Sequence, residues 1–341
     1  MKAYLAIAAA LALGACATDA IVASPVPAFR ETAPMSGAGD RADDPAVWVN
    51  PNDAARSLIL GTNKDEGVYV YNLEGAELQK IPVGLSNNVD VRGNLAVASN
   101  DGVNALSWFR IDPATTNVTH AGDTKLERIE PYGVCAGMPG GQYQAAVTFK
   151  DGTIDIWNVA DTGAGPVTIT PARTVKLATQ LEGCVFDDEQ KILFVGEENH
   201  GLWAVDLGTG ATTLIDKVGS GSGLIADVEG VSLWRGANGD GFIVVSAQSK
   251  DRYIVYDRKA PHALKGVISV APSLDGSVDG VSHTDGLDVN SSPLPGFPKG
   301  ILVVQDDANP TSEVDQNFKI VDWREVEKAL AAAATAAVTK P

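Results

Sequence analysis

Short apolar, β-branched runs alternate with Gly-, Asn- and Asp-rich breaks along most of this chain. The clearest unit begins at Glu229. Glu229-Gly230-Val231-Ser232-Leu233-Trp234 predicts a strand, and Ala237-Asn238-Gly239-Asp240-Gly241 predicts a turn with residues suited to positive φ. Phe242-Ile243-Val244-Val245-Ser246-Ala247 predicts a second strand, Gln248-Ser249-Lys250-Asp251 a polar loop, and Tyr253-Ile254-Val255-Tyr256-Asp257 a third strand. The last two runs recur five more times. Leu58-Ile59-Leu60 leads to Val68-Tyr69-Val70-Tyr71, Ala145-Ala146-Val147 to Ile154-Asp155-Ile156-Trp157, and Ile301-Leu302-Val303-Val304 to Phe318-Lys319-Ile320-Val321, with further copies around Val97 and Phe194.

Each copy opens on a carboxylate, or a stand-in for one, followed by an apolar run. The openers are Asp44, Asp90, Tyr132, Glu182, Glu229 and Asp285, spaced 46, 42, 50, 47 and 56 residues apart. Blade-length periods of roughly 40–50 residues are the mark of a propeller. The pattern therefore predicts an all-β, six-bladed β-propeller over residues 40–323. In an antiparallel blade, the start of strand one and the loop after strand two share a face. That rule brings together Asp43, Asp44, Asp90, Tyr132, Glu182, Asp227, Glu229, Asp279 and Asp285 with loop residues Lys64, Asp101, Lys150, Glu197, Glu198, Lys250, Asp306, Asp307 and Asn309.

The chain ends read differently. Lys2 and the apolar residues 3–13 are too short to span a bilayer and predict an export signal, ending at Leu13-Gly14-Ala15-Cys16. The expectation is a lipoprotein-type signal over 1–16, with Cys16 lipidated and the protein held in the cell envelope; ordinary cleavage and secretion is the alternative. Residues 17–39, rich in Pro and Ala, read as a tether. Residues 324–341 read as an Ala-rich tail or short fraying helix. Cys135 and Cys184 lie in equivalent parts of neighbouring repeats, but offset by one residue, which predicts opposite strand faces and two buried thiols in preference to a disulfide.

The formal net charge is −17, from 26 basic and 43 acidic residues. It argues against nucleic acid and anionic membrane surfaces as partners. Bound divalent cations would reverse that field locally and admit an anionic substrate. The four histidines have no ligand spacing with one another or with cysteine, which argues against zinc, while many carboxylates on adjustable loops suit calcium. Calcium at such a face could polarise a phosphate and activate a water, with Lys64 and Lys150 as phosphate contacts; the plain alternative for each lysine is a solvated loop charge. Gly219-Ser220-Gly221-Ser222-Gly223 has neither a P-loop Lys nor nucleophile-elbow spacing, and Asp275-Gly276-Ser277-Val278-Asp279-Gly280 lacks the Glu that closes an EF-hand loop.

Taken in order, the segments Asp43-Asp44-Pro45-Ala46-Val47-Trp48, Thr62-Asn63-Lys64, Asn87-Asn88-Val89-Asp90, Glu130-Pro131-Tyr132-Gly133, Asp227-Val228-Glu229-Gly230, Thr284-Asp285-Gly286-Leu287-Asp288 and Gln316-Asn317-Phe318-Lys319 resemble the β-propeller phytases. These are bacterial calcium-dependent 3-phytases acting on inositol hexakisphosphate. The resemblance spans roughly residues 31–323. It implies a propeller with several calcium ions on its axial face, held by Glu31, Asp43, Asp44, Glu182, Glu198, Asp227, Glu229, Asp279 and Asp285. It implies that Lys64, Tyr132 and Lys150 contact phosphate, with Glu229 completing the catalytic set. The reaction would be direct attack on phosphorus by a calcium-bound water, in a monomeric enzyme with a small polyphosphorylated substrate.

Three positions depart from the family pattern. Asp101 follows Ser99-Asn100 where the family carries an Arg, Asp65 replaces a basic residue, and His283 stands in for an acid. Two other readings compete: a calcium-dependent propeller lactonase or esterase, and a non-catalytic envelope propeller with structural calcium.

Overall fold

The computed structural model describes residues 21–37, 39–309 and 316–339. The expected signal segment and Cys16 lie outside the described residues. Two short strands come first, β1 (Ser24–Pro27) and β2 (Arg30–Glu31). Blade 1 is β3 (Ala42–Trp48), β4 (Leu58–Asn63), β5 (Gly67–Asn72) and β6 (Glu77–Pro82). Blade 2 is β7 (Ser86–Arg92), β8 (Leu95–Asn100), β9 (Ala105–Ile111) and β10 (Val118–Lys125), and blade 3 is β11 (Pro131–Gly137), β12 (Gln144–Phe149), β13 (Thr153–Ala160) and β14 (Thr168–Lys176). Blade 4 is β15 (Leu181–Asp187), β16 (Ile192–Glu197), β17 (Gly201–Asp206) and β18 (Thr212–Lys217). Blade 5 is β19 (Val228–Arg235), β20 (Gly241–Ala247), β21 (Arg252–Asp257) and β22 (Leu264–Ala271), and blade 6 has β23 (Leu287–Asn290), β24 (Ile301–Asp306) and β25 (Asn317–Asp322). The helix α1 (Trp323–Thr339) follows.

The propeller expected from the repeats is the fold observed. The first strands of the blades, β3, β7, β11, β15, β19 and β23, touch in sequence, and β23 returns to β3 to close the circle. One apolar cluster fills each junction between neighbouring blades. Both faces of a middle strand are therefore covered, which is why β4, β8 and β24 are buried along their whole length, whereas the outer β14 is mostly exposed.

One expectation about the chain ends is corrected. The segment read as a tether supplies β1, which runs parallel to β22, and β2, which pairs antiparallel with β25. Blade 6 has three strands of its own, so the early segment satisfies the open edge of β25. At the other end the helix reading of the Ala-rich segment is the one observed, as α1, and Trp323, Val326 and Leu330 are buried in the cluster between blades 5 and 6.

The thiol expectation is corrected too: Cys135 and Cys184 form a disulfide, with Cα atoms 5.7 Å apart. The face argument fails because the two cysteines belong to different sheets stacked face to face. Side chains on opposite faces of their own strands are then the ones that meet.

Candidate metal centre

The ladder registers show which residues are equivalent. Pro45, Val89, Val134, Cys184, Val231 and Leu287 pair with Gly61, Ala98, Val147, Val195, Val245 and Val304 of their respective second strands. Two residues earlier in each blade stand Asp43, Asn87, Tyr132, Glu182, Glu229 and Asp285. This ring differs from the sequence expectation at two places, with Asp43 in place of Asp44 and Asn87 in place of Asp90. The reason is local. In the first five blades the register shifts between the ring residue's neighbours, a bulge that frees the ring side chain from the ladder and aims it at the axis.

Hydroxyls hold the ring's backbone. Thr148 Oγ1 accepts from the Gly133 amide at 3.0 Å and donates to the Glu182 carbonyl at 2.7 Å. Ser246 does the same between Gly230 and Asp285, at 2.7 and 2.8 Å, and Ser99 between Asn88 and Tyr132. These residues lie one position before the end of the second strands of blades 2, 3 and 5, each of which thereby pins the ring position of the next blade. The sequence reading missed them; the repeated Ser or Thr near the end of strand two is the signal that could have found them.

Among the described residues, two groups of carboxylates bring ligand atoms within 4.8 Å of one another: Asp43, Glu182 and Asp285, and Glu182, Glu198 and Glu229. Glu182 belongs to both. Both oxygens of Asp43, and one each of Glu182 and Glu229, are buried without a hydrogen-bond donor. Burial, with repulsion from neighbouring carboxylates, raises Asp43 and Glu182 well above the ordinary carboxylate value, burial raises Asp285, and burial carries Glu229 up to about 8. Orphaned, buried, all-oxygen donors with too much negative charge fit a hard divalent cation.

Lys64 is the built-in cation of this site. Its Nζ lies 3.0 Å from Asp285 Oδ2 and 3.0 Å from Asp40 Oδ2. Burial works against its charge, but Asp43, Asp285 and Asp40 outweigh that and hold the ammonium above the ordinary lysine range. Asp40 was not among the expected residues. Lys150 Nζ sits 4.5 Å above the ring of Tyr132, whose hydroxyl is pushed up by burial and by Glu182.

Other expected ligands are placed apart from the two groups. Asp44 stands one residue deeper and accepts the Val89 amide at 3.2 Å through Oδ2. Glu31 and Asp279 meet at the buried Lys319 Nζ, which also contacts Asp306 Oδ2 at 3.0 Å and Asn309 Oδ1 at 3.1 Å. Asp227 precedes β19, and its carbonyl accepts the Gln248 amide. Glu197 turns inward to Thr179 and Trp203, a structural role. Gln248, not Lys250, follows the end of the middle strand in blade 5.

Fold and site together define a β-propeller whose axial mouth carries a carboxylate ring fit for divalent cations, flanked by two lysines. The phytase family model matches residues 1–337. A 3-phytase of Bacillus subtilis (strain 168) is 33% identical over 329 residues, covering 89% of this chain and 85% of that protein. The chain belongs to the phytase family.

Proposed function

We propose that this protein is a calcium-dependent phytase that releases inorganic phosphate from myo-inositol hexakisphosphate at the carboxylate ring. The observation that carries the reading is the pair of carboxylate groups sharing Glu182, with Lys64 against one and buried, donorless oxygens in both. Asp43, Glu182, Asp285, Glu198 and Glu229 would hold the ions. Calcium bound there would polarise a phosphate oxygen and activate a water for attack on phosphorus.

The chain's own residues supply the rest. Lys64 is kept charged by the carboxylates around it and presents a fixed positive charge to a bound phosphate. Lys150, stacked over Tyr132, presents a second. The bulges and hydroxyl bridges fix the ring before substrate arrives, so little reorganisation accompanies the reaction. Glu31, Asp279 and Asp306 around Lys319 leave a formal charge of −2, and Asn317 Oδ1 is buried there without a donor. A further calcium at that cluster would be structural.

Export is part of the same reading, with a lipid anchor at Cys16. The Cys135–Cys184 disulfide supports it, because such bonds persist in oxidising compartments. No described helix is long and apolar enough to cross a membrane. The test is phosphate release from phytate by the purified protein with calcium and with EDTA. Release that EDTA stops and calcium restores is the expected outcome; release indifferent to chelation would exclude the metal site.

A further inference from the structure

The register that sets the ring also sets a second tier, one step past the end of each middle strand. Ala42 pairs with Asn63, Ser86 with Asn100, Pro131 with Phe149 and Leu181 with Glu197. The residues that follow, Lys64, Asp101, Lys150 and Glu198, are therefore equivalent in consecutive blades. Asp101 stands between the two lysines in blade order. Its Oδ2 accepts a 2.9 Å hydrogen bond from Nδ2 of Asn87, the residue that occupies the ring position in blade 2. Its Oδ1 is buried and has no donor. Lys150 attracts it electrostatically and Glu130 repels it.

This arrangement discriminates between substituents. An ionised carboxylate only accepts hydrogen bonds, and a phosphate dianion has nothing to donate. A phosphate placed at this edge would face a like charge and a lysine already partly answered by Asp101. A hydroxyl can donate to the carboxylate, whose Oδ2 keeps a lone pair beside its bond from Asn87. We infer that Asp101 is a specificity-determining residue that sets the blade 2 edge of the site to accept a free hydroxyl of the substrate in preference to a phosphate. The favoured class is then inositol phosphates that have already lost some phosphate and carry a hydroxyl beside the scissile group. This inference rests on the phytase reading.

The test compares wild type with Asp101→Asn, using the full chain with saturating calcium. The substrates are phytate and an inositol trisphosphate with a hydroxyl adjacent to a phosphate. Asp101→Asn keeps the side chain's size and removes its charge. The expected result is a gain of about tenfold, or about 1.4 kcal/mol, in the kcat/KM ratio of phytate to the trisphosphate. The gain is carried by a lower KM for phytate with kcat nearly unchanged, and Asp101→Glu keeps the wild-type order. A merely structural Asp101 would move kcat and KM for both substrates together. An unchanged ratio overturns the inference. So does a rise in the phytate KM of Asp101→Asn, because the carboxylate would then be recruiting a cation for phosphate. If the wild type releases phosphate from neither substrate, the phytase reading fails and this inference falls with it.

Discussion

Gly133 packs so closely against Glu182 that a Cβ at Gly133 would overlap the Glu182 carbonyl oxygen. The inner strands of blades 3 and 4 therefore approach to a distance that only glycine permits, directly behind the carboxylate shared by both carboxylate groups. Gly133→Ala should push β11 and β15 apart and move Glu182. The expected cost is about 1–3 kcal/mol of stability, together with weaker calcium binding measured by titration calorimetry. Calcium affinity equal to wild type would separate the ring geometry from this contact.

Lys64 should be needed for turnover more than for folding in calcium. Its Nζ lies 3.0 Å from Asp285 Oδ2, and a fixed charge aimed at a transition state is worth about 10²–10³ in rate. Lys64→Met should lose about that much kcat/KM on phytate. It should also melt earlier than wild type in EDTA, where Asp43 and Asp285 have lost their internal cation. Steady-state assays and melting curves check both halves.

Stability without calcium should fall as pH rises. Asp43, Glu182 and Asp285 are raised on folding, chiefly by burial, and Glu229 moves from 4.5 to about 8. A carboxyl raised by folding stabilises fully below its unfolded value and loses that contribution as pH passes through its folded value. The melting temperature in EDTA should thus decline between pH 4.5 and about 8. Calcium should flatten the decline, since the ions replace protons as counter-charge. A melting temperature in EDTA that rises over this window would contradict the account.

The disulfide clamps the same junction. Cys135 and Cys184 close a loop of 49 residues, for which chain entropy predicts about 4 kcal/mol. The double variant Cys135→Ala with Cys184→Ala should unfold at lower denaturant by about that much and no longer respond to reductant. Denaturant titration in oxidising and reducing buffer decides it.

The blades were legible in the sequence because their middle strands are buried on both faces, so runs such as Phe242-Ile243-Val244-Val245 leave a continuous apolar trace. The ring was legible to within one residue in blade 1 and three in blade 2. A bulge adds no hydrophobic signal, so Asp43 could not be told from Asp44, and Asn87 was hidden by the nearby Asp90. Asp90 belongs to a blade contact, accepting the Ala136 amide at 2.7 Å. The strands at Ser24–Pro27 and Arg30–Glu31 were not legible because they are short, the first contains two prolines, and both form only by pairing with strands more than 200 residues away in sequence. The contact of Lys64 with Asp40 and the cage around Lys319 depend on tertiary placement, which periodicity does not encode.

Glu182 gives the most direct test of the central claim, because it alone belongs to both carboxylate groups. The measurement is phosphate release from phytate by wild type and Glu182→Gln across a calcium titration after chelation, with melting curves to verify folding. The account predicts release by wild type that tracks calcium, and none by a folded Glu182→Gln at any calcium concentration. Wild-type turnover in excess EDTA, or turnover by Glu182→Gln equal to wild type, would contradict it.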